Sequence, residues 1–218
     1  MLSDNQFGTA FRFRFGLPPV PAEQMPSFCK ACNADLQAEP WHHLNCRHLI
    51  GNAGTRRHND VLHTVARWIK NIGGFAPIVE PSKIGPERKK RTRPDLDAVI
   101  AGERFITDVS IVNPLADSHV SSAQSIMGAA EKRAKSKAEK FDDMKKHGKF
   151  FPMVMETTGG MHKDFAVAIK EIIRASRLSG LWAGRDVVHG IRASVAVAVQ
   201  KGNASMVAAG LHEARLRE

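Results

Sequence analysis

Alternation between polar and apolar residues is clearest in the middle of the chain. Residues 95 to 100 alternate, residues 101 to 104 include a glycine and two charged residues, and residues 105 to 112 are rich in β-branched side chains. Because strand side chains point alternately to the two faces of a sheet, this pattern predicts two strands joined by a turn. In the second strand, Asp108 and Ser110 share one face with two aliphatic residues.

Apolar residues recur at helical spacing on either side of these two strands. The predicted helices span residues 60 to 73, residues 121 or 122 to about 147, residues 163 to 179, and a last short segment after Gly202-Asn203. Two further strands are predicted at residues 75 to 80 and 150 to 157. The resulting order, α-β-β-β-α-β followed by helices, predicts an α/β fold.

The first 27 residues are predicted to form a short helix and a proline-rich linker. Phe7, Phe11 and Phe15 are spaced four residues apart, so they fall on one side of a helix, and we expect this helix to pack on the body of the protein. Four prolines between residues 18 and 26 then interrupt regular structure.

Basic residues outnumber acidic ones, which changes the expected partner. The chain has 218 residues, a formal net charge of +10 and 43% hydrophobic residues, enough for a substantial core. The charge favours a polyanion, most simply nucleic acid. No apolar run approaches the roughly 18 residues of a membrane span, and the N-terminus has no secretory apolar segment. We therefore expect an intracellular protein without a membrane partner.

Three cysteines in such a chain indicate metal binding rather than disulfides. With one histidine they form the pattern C-x2-C-x9-H-x3-C, made by Cys29, Cys32, His42 and Cys46. These ligand types at this spacing suit tetrahedral Zn²⁺. The rival histidine ligands are His43, His48 and His58. Because the segment has few aliphatic residues, we expect the metal to supply folding energy; the alternative is ordinary cysteines among scattered histidines.

An aspartate inside an apolar strand indicates chemistry or pairing. An ionised Asp108 among aliphatic neighbours is costly unless it is paired or bound to a metal. Asp95 opens the neighbouring strand, so the two carboxylates can converge at one end of the sheet. Two converging oxygen ligands suit Mg²⁺. The alternative is that Asp108 caps a turn or pairs with an arginine.

The segment Pro94-Asp95, twelve intervening residues and Asp108-Val109-Ser110 resembles the core of PD-(D/E)xK restriction-like nucleases. The flanking segments RHNDVLHTVARWIKNIGG and KAEKF, and the upstream Cys-Cys-His-Cys pattern, are similar to the nuclease-like domain beside reverse transcriptases in retroelement polyproteins. The resemblance covers residues 26 to 160. It implies a restriction-endonuclease-like core and cleavage of DNA with Mg²⁺ or Mn²⁺. It also makes Glu80 a third carboxylate near Asp95 and Asp108.

The family's lysine is replaced here by Ser110. On a wheel of about 100° per residue, Lys137 falls within the apolar stripe of the predicted helix that follows, together with Ala130 and Ala134. A lysine on a buried stripe needs an acidic partner or a route to solvent. We therefore predict that Lys137 supplies the missing ammonium to Asp108; the alternative is that it reaches solvent.

Basic residues near these carboxylates are the predicted nucleic-acid contacts. Arg56 and Arg57 stand at the start of a helix, where cations oppose the helix dipole, and both phosphate contact and a solvated face remain open. The connection from residue 82 to residue 93 is strongly basic and is predicted to contact the phosphate backbone. Its basic residues are Arg88, Lys89, Lys90, Arg91 and Arg93.

The predicted organisation has four parts. They are residues 1–27 (helix and linker), 28–55 (zinc module), 56–160 (nuclease core) and 161–218 (helices). The resemblance implies a DNA endonuclease that nicks target DNA, with an RNA/DNA hybrid as a second candidate substrate. It also implies a reverse transcriptase domain in a longer polyprotein and nuclear localisation in a eukaryotic host. The alternatives are an inactive nucleic-acid-binding domain, favoured by Ser110, and a zinc-dependent protein-interaction module.

Overall fold

A computed structural model describes residues 1–49, 52–81, 93–122, 125–178 and 187–215. The helices are α1 (Asp4–Arg14), α2 (Ala53–Gly73), α3 (Asp117–Val120), α4 (Gly128–Lys140), α5 (Lys163–Leu178) and α6 (Val187–Arg215). The strands are β1 (Ile78–Val79), β2 (Leu96–Ile100), β3 (Glu103–Val112) and β4 (Lys149–Glu156). Short 3₁₀ helices span Ala22–Gln24, His42–Leu44 and Asp142–Lys146.

The four strands form one mixed sheet in the order β1-β2-β3-β4. The first three strands are antiparallel, and β4 is parallel to β3 because α4 carries the chain back between them. The hairpin between β2 and β3 has the two-residue turn Ala101-Gly102, tighter than the predicted turn of residues 101 to 104. Both residues have positive φ, +53° and +77°, as the tightest hairpin turns require.

Helices cover both faces of the sheet. On one face, Phe105 and Val109 of β3 join the main core with α2, α5 and α6. On the other face, Ile106 packs with the 3₁₀ helix after α4, and Val112 packs with α4 itself. Asp108 and Ser110 lie between Ile106 and Val112 at every second position of β3, so they point to the same face. Both polar side chains therefore lie under α4.

The α/β class and the order α-β-β-β-α-β agree with the sequence prediction, but several boundaries differ. The helix predicted from residue 60 begins seven residues earlier, at Ala53. The strand predicted at residues 75 to 80 is only Ile78–Val79. The helix predicted from residue 121 or 122 to residue 147 begins at Gly128, where the backbone returns so close to Ser122 that a Cβ would lie 1.7 Å from its carbonyl oxygen. That helix ends at Lys140, because Phe141 turns into the core and stacks on Phe150.

The predicted break at Gly202-Asn203 is wrong, because α6 runs through it. Glycine serves packing here: a Cβ at residue 202 would lie 2.2 Å from Cγ of Arg57 on α2. The two helices therefore approach closely at this point. No helix in the described ranges is long and apolar enough to cross a membrane.

The N-terminal helix α1 packs through a side that the sequence did not indicate. Phe13 is buried, and its ring meets that of Trp41 edge to face with centroids 4.7 Å apart. Phe7, Phe11 and Phe15, the predicted packing stripe, are exposed. The cysteine-containing segment also has more core than expected, because its buried residues form one cluster with α1 and α6.

Candidate metal centre and carboxylate–lysine site

The four predicted zinc ligands converge. The ligand atoms of Cys29, Cys32, His42 and Cys46 all lie within 4.8 Å of one another, so this group could hold a metal ion. Sγ of Cys46 lies 3.9 Å from Sγ of Cys29 and 3.7 Å from Sγ of Cys32. A tetrahedron with Zn–S bonds of about 2.3 Å has sulfur–sulfur edges of about 3.8 Å. The arrangement is therefore consistent with structural zinc, and these separations are far too long for a disulfide.

Burial makes ionisation of the Cys46 thiol unfavourable unless a cation is bound. It raises the pKa of Cys46 to about 12, and the neighbouring Cys32 and Cys29 thiols raise it as well. A thiol must be deprotonated to ligate a metal, and a bound metal reverses this cost. Without a metal the Cys46 thiolate is thus disfavoured, and a bound metal would favour it.

His42, and none of its three rivals, is the histidine of this group. Its Nε2 lies 3.0 Å from Sγ of Cys32, and its Nδ1 lies 3.3 Å from a carboxylate oxygen of Glu39. A carboxylate on the second ring nitrogen orients a ligating imidazole. His43 instead packs against α6 at Gly210, where a Cβ would lie 2.3 Å from its ring. Neither His48 nor His58 belongs to the group.

The second site lies between β3 and α4. The Asp108 carboxylate is almost fully buried, and Nζ of Lys137 lies 2.6 Å from its Oδ2. The hydroxyl of Ser110 donates to the same oxygen at 3.4 Å. The predicted proximity of Lys137 to Asp108 is confirmed. The ammonium comes from the helix packed over the strand, above the face that carries Ser110.

Asp95 adds a second carboxylate beside Asp108. Its Oδ2 accepts a hydrogen bond from the backbone N–H of Val109 at 2.7 Å, which fixes it against β3. Nε2 of His58 lies 3.7 Å from the same oxygen. Burial raises the pKa of Asp108, the Asp95 charge raises it further, and Lys137 opposes both effects.

Glu80 does not join the two aspartates. It lies on the surface, has a φ of +48°, and pairs with Arg93 at 2.5 Å. Among the residues that the structure describes, the carboxylates of Glu80, Asp95 and Asp108 form no group with metal-binding spacing. The structure therefore brings together two of the three predicted carboxylates.

A cavity of about 200 Å³ opens beside these side chains. Asp95, Ser110 and Lys137 line it, and so do His58 and two arginines. One of these, Arg133, was missed by the sequence prediction, although it precedes Lys137 by four residues and so shares its helix face. The sequence did not indicate that His58 contacts Asp95. His58 lies near the start of α2 and contacts Asp95, which directly precedes β2. Only the fold brings these two residues together.

The predicted nucleic-acid contacts separate into three groups. Arg56 is exposed at the start of α2, whereas Arg57, beside it, is buried against α6 and donates from Nη1 to Oδ1 of Asn203 at 2.8 Å. Arg93 is exposed and paired with Glu80. Four basic residues of the predicted contact segment lie outside the described residues: Arg88, Lys89, Lys90 and Arg91.

The arrangement can bind a hard cation through two carboxylates and an anion through the surrounding cations. Comparison of the chain with models of known protein families gives no match, and comparison with curated protein sequences gives none either. The resemblance to restriction-like nucleases rests on the residues quoted above.

Proposed function

We propose that this protein is a metal-dependent endonuclease that hydrolyses phosphodiester bonds in DNA. The observation that carries the proposal is the 2.6 Å contact between the Lys137 ammonium and the Asp108 carboxylate, next to Asp95. Asp95 and Lys137 line a cavity beside Asp108 that is also lined by Ser110 and two arginines. Carboxylates for a cation and cations for a phosphate are the two requirements of metal-assisted phosphodiester cleavage.

Asp95 and Asp108 would hold Mg²⁺ or Mn²⁺. Magnesium commonly binds one or two protein carboxylates and retains several waters, so the pair suffices without Glu80. Repulsion from Asp95, which helps to raise the pKa of Asp108, favours a divalent cation at this position. When bound, the metal supplies Lewis acidity, which acidifies water and offsets charge on the scissile phosphate.

Side chains of the protein would position the attacking water and the metal ligands, and would stabilise the developing negative charge. Lys137 orients the attacking water or stabilises the negative charge that develops on the phosphate, because its ammonium is held at the carboxylate in a largely buried position. The Val109 N–H and His58 hold Asp95 in place. Ser110 donates a hydrogen bond to Asp108 and so limits its rotation.

The Cys29–Cys32–His42–Cys46 group is proposed to bind one structural Zn²⁺. Its ligand types, its sulfur–sulfur edges and the Glu39 contact to His42 all support zinc over harder cations. Zinc would fix the segment that packs against α1 and α6.

The biological setting is proposed by analogy alone. If the resemblance holds, the endonuclease nicks target DNA for integration of a retroelement, beside a reverse transcriptase domain of a longer polyprotein and in the nucleus of a eukaryotic host. An RNA/DNA hybrid is then a second substrate to test.

A catalytically inactive DNA-binding domain is the second candidate. It is favoured by Ser110 at the position of the family's lysine and by the closed Asp108–Lys137 pair, which also suits a purely structural ion pair. In that case the same cations would bind DNA without cleaving it.

Incubation with supercoiled plasmid tests the proposal. We expect nicking with Mg²⁺ or Mn²⁺ and none with EDTA, and loss of nicking in Asp108→Ala. Tight binding without nicking in any metal would contradict the endonuclease and support the inactive binding domain. Absence of binding at moderate salt would support a protein-interaction module.

A further inference from the structure

A second, larger cavity adjoins the carboxylate–lysine site. It has a volume of about 540 Å³ and lies between the cysteine segment, the start of α2, and the residues that follow β3. Its charged and titratable lining residues are Cys46, Arg47, Arg57, His119 and Arg133. Gly54, Arg57, Ile111 and Arg133 line both cavities, so the two cavities are direct neighbours.

The lining of this larger cavity is positive and has no acidic side chain among its described residues. Arg57 is 8% exposed, and its Nε has no hydrogen-bond partner. No described carboxylate lies within 4.0 Å of its guanidinium, which donates only to the neutral Asn203. Burial lowers the pKa of Arg57 to about 10. A buried cation without an anion is costly, which indicates that an anion belongs beside it.

The start of α2 adds a second attraction for anions. This helix has 21 residues, its N-cap Asn52 makes no side-chain capping hydrogen bond, and its first turn contains no acidic residue. The first N–H groups of a helix have no partner within the helix and carry the positive end of its dipole. Ala53, Gly54 and Thr55 of this turn line the cavity.

We propose that this cavity is a phosphate-binding subsite for the nucleic-acid strand, holding a phosphodiester next to the one that is cleaved. Arg47, Arg57, Arg133 and the first turn of α2 contact that phosphate. The inference rests on the proposed function, because the adjoining carboxylate–lysine site defines which phosphate is cleaved. Arg133, which lines both cavities, lies between the two phosphates.

DNA binding in EDTA tests the subsite without cleavage. The probe is a fluorescein-labelled oligonucleotide duplex, followed by anisotropy over a salt titration. Arg47→Ala and Arg133→Ala should each lower affinity about tenfold, as expected for loss of a charge-assisted hydrogen bond. Each should also reduce the log–log salt slope by about 0.9, the contribution of one phosphate contact. The control Arg67→Ala removes an exposed arginine of α2 that lines neither cavity, and should change affinity less than twofold.

Equal binding by Arg47→Ala, Arg133→Ala and Arg67→Ala overturns the inference. Arg57→Met is measured as well, with thermal unfolding as a check. If that variant does not fold, the two exposed arginines still decide the result. A second experiment measures the Tm with inorganic phosphate. Suppose that phosphate raises the Tm of the wild type but not that of Arg133→Ala, and that the two proteins bind the oligonucleotide with equal affinity. The cavity then binds a free anion, and the inference fails.

The experiment separates this inference from the proposed function. If Arg47→Ala and Arg133→Ala lower DNA affinity but the wild type never nicks plasmid, the subsite is supported and the endonuclease is contradicted. If the wild type nicks plasmid but these substitutions do not change DNA affinity, the endonuclease is supported and the subsite is contradicted. In the Asp108→Ala background, Arg47→Ala and Arg133→Ala should still lower DNA affinity in EDTA, because Asp108→Ala alters a metal ligand and not the subsite.

Discussion

Removal of Lys137 should separate catalysis from binding most clearly. Its Nζ lies 2.6 Å from Oδ2 of Asp108, with side-chain exposures of 12% and 4%. Breaking a buried pair leaves an uncompensated charge and costs roughly 3 kcal/mol of stability. Loss of one electrostatic or acid–base group typically lowers a rate by about two to four orders of magnitude. We therefore expect Lys137→Ala to be moderately less stable and nearly inactive while still binding DNA.

The assay is single-turnover plasmid nicking in Mg²⁺, with DNA affinity measured in EDTA. Lys135→Ala is the matched control, because Lys135 is exposed and lies about 200° around the same helix. Lys140→Ala should have a small effect, because the Lys140 charge lowers the pKa of Asp108 less than the charge and hydrogen bond of Lys137 do. Wild-type nicking by a folded Lys137→Ala protein would refute the role of this lysine.

A double variant distinguishes a catalytic lysine from a structural one. Lys137→Met combined with Asp108→Asn removes both charges, so stability should recover relative to Lys137→Met alone. Nicking should not recover, because the metal ligand and the ammonium are both absent. Recovery of nicking in the double variant would contradict the site itself.

The cysteine–histidine group, the Asp108 carboxylate and the close approach of α2 and α6 each give further predictions. Purified protein should contain about one zinc per chain by elemental analysis, and Cys29→Ser should lose both zinc and stability. Asp108→Ala should abolish nicking yet bind DNA as well as or better than the wild type, measured by anisotropy, because it relieves repulsion toward phosphate. Burial raises the pKa of Asp108, so Mn²⁺ affinity should fall as the pH drops through that raised value; in Lys137→Met, which lacks the opposing cation, the midpoint should move to higher pH. Gly202→Ala should lower the Tm despite better helix propensity, since its Cβ meets the stem of Arg57.

The parts of the fold that the sequence predicted are those set by short-range patterns. Strands β2 and β3 follow from alternation over a few residues, and the hairpin joins neighbours in the chain. The cysteine–histidine group follows from ligand spacing within 18 residues. The Lys137–Asp108 contact was also predictable, because the apolar stripe of α4 must cover one face of β3 and both residues lie on the facing surfaces.

The parts that the sequence did not predict depend on packing between distant segments. Arg57 occupies a position in α2 that looks solvent-facing, and only α6 buries it, through Asn203. Gly202 read as a helix break because propensity alone disfavours glycine in a helix, whereas the close approach of α2 requires it. Helix α1 is a further case. The regular spacing of three phenylalanines predicted that they pack on the body, but Phe13 packs instead, against the indole of Trp41.

The serine at position 110 need not weaken the case for catalysis. Ser110 and Lys137 reach the same carboxylate oxygen of Asp108, one from the strand and one from the helix above it. An ammonium at position 110 would therefore stand beside that of Lys137 in a largely buried space, where like charges repel strongly. A short hydroxyl at 110 instead donates to Asp108 and leaves room for the longer side chain. The serine and the helical lysine are thus complementary: the short hydroxyl at position 110 leaves the space that the Lys137 ammonium occupies beside Asp108.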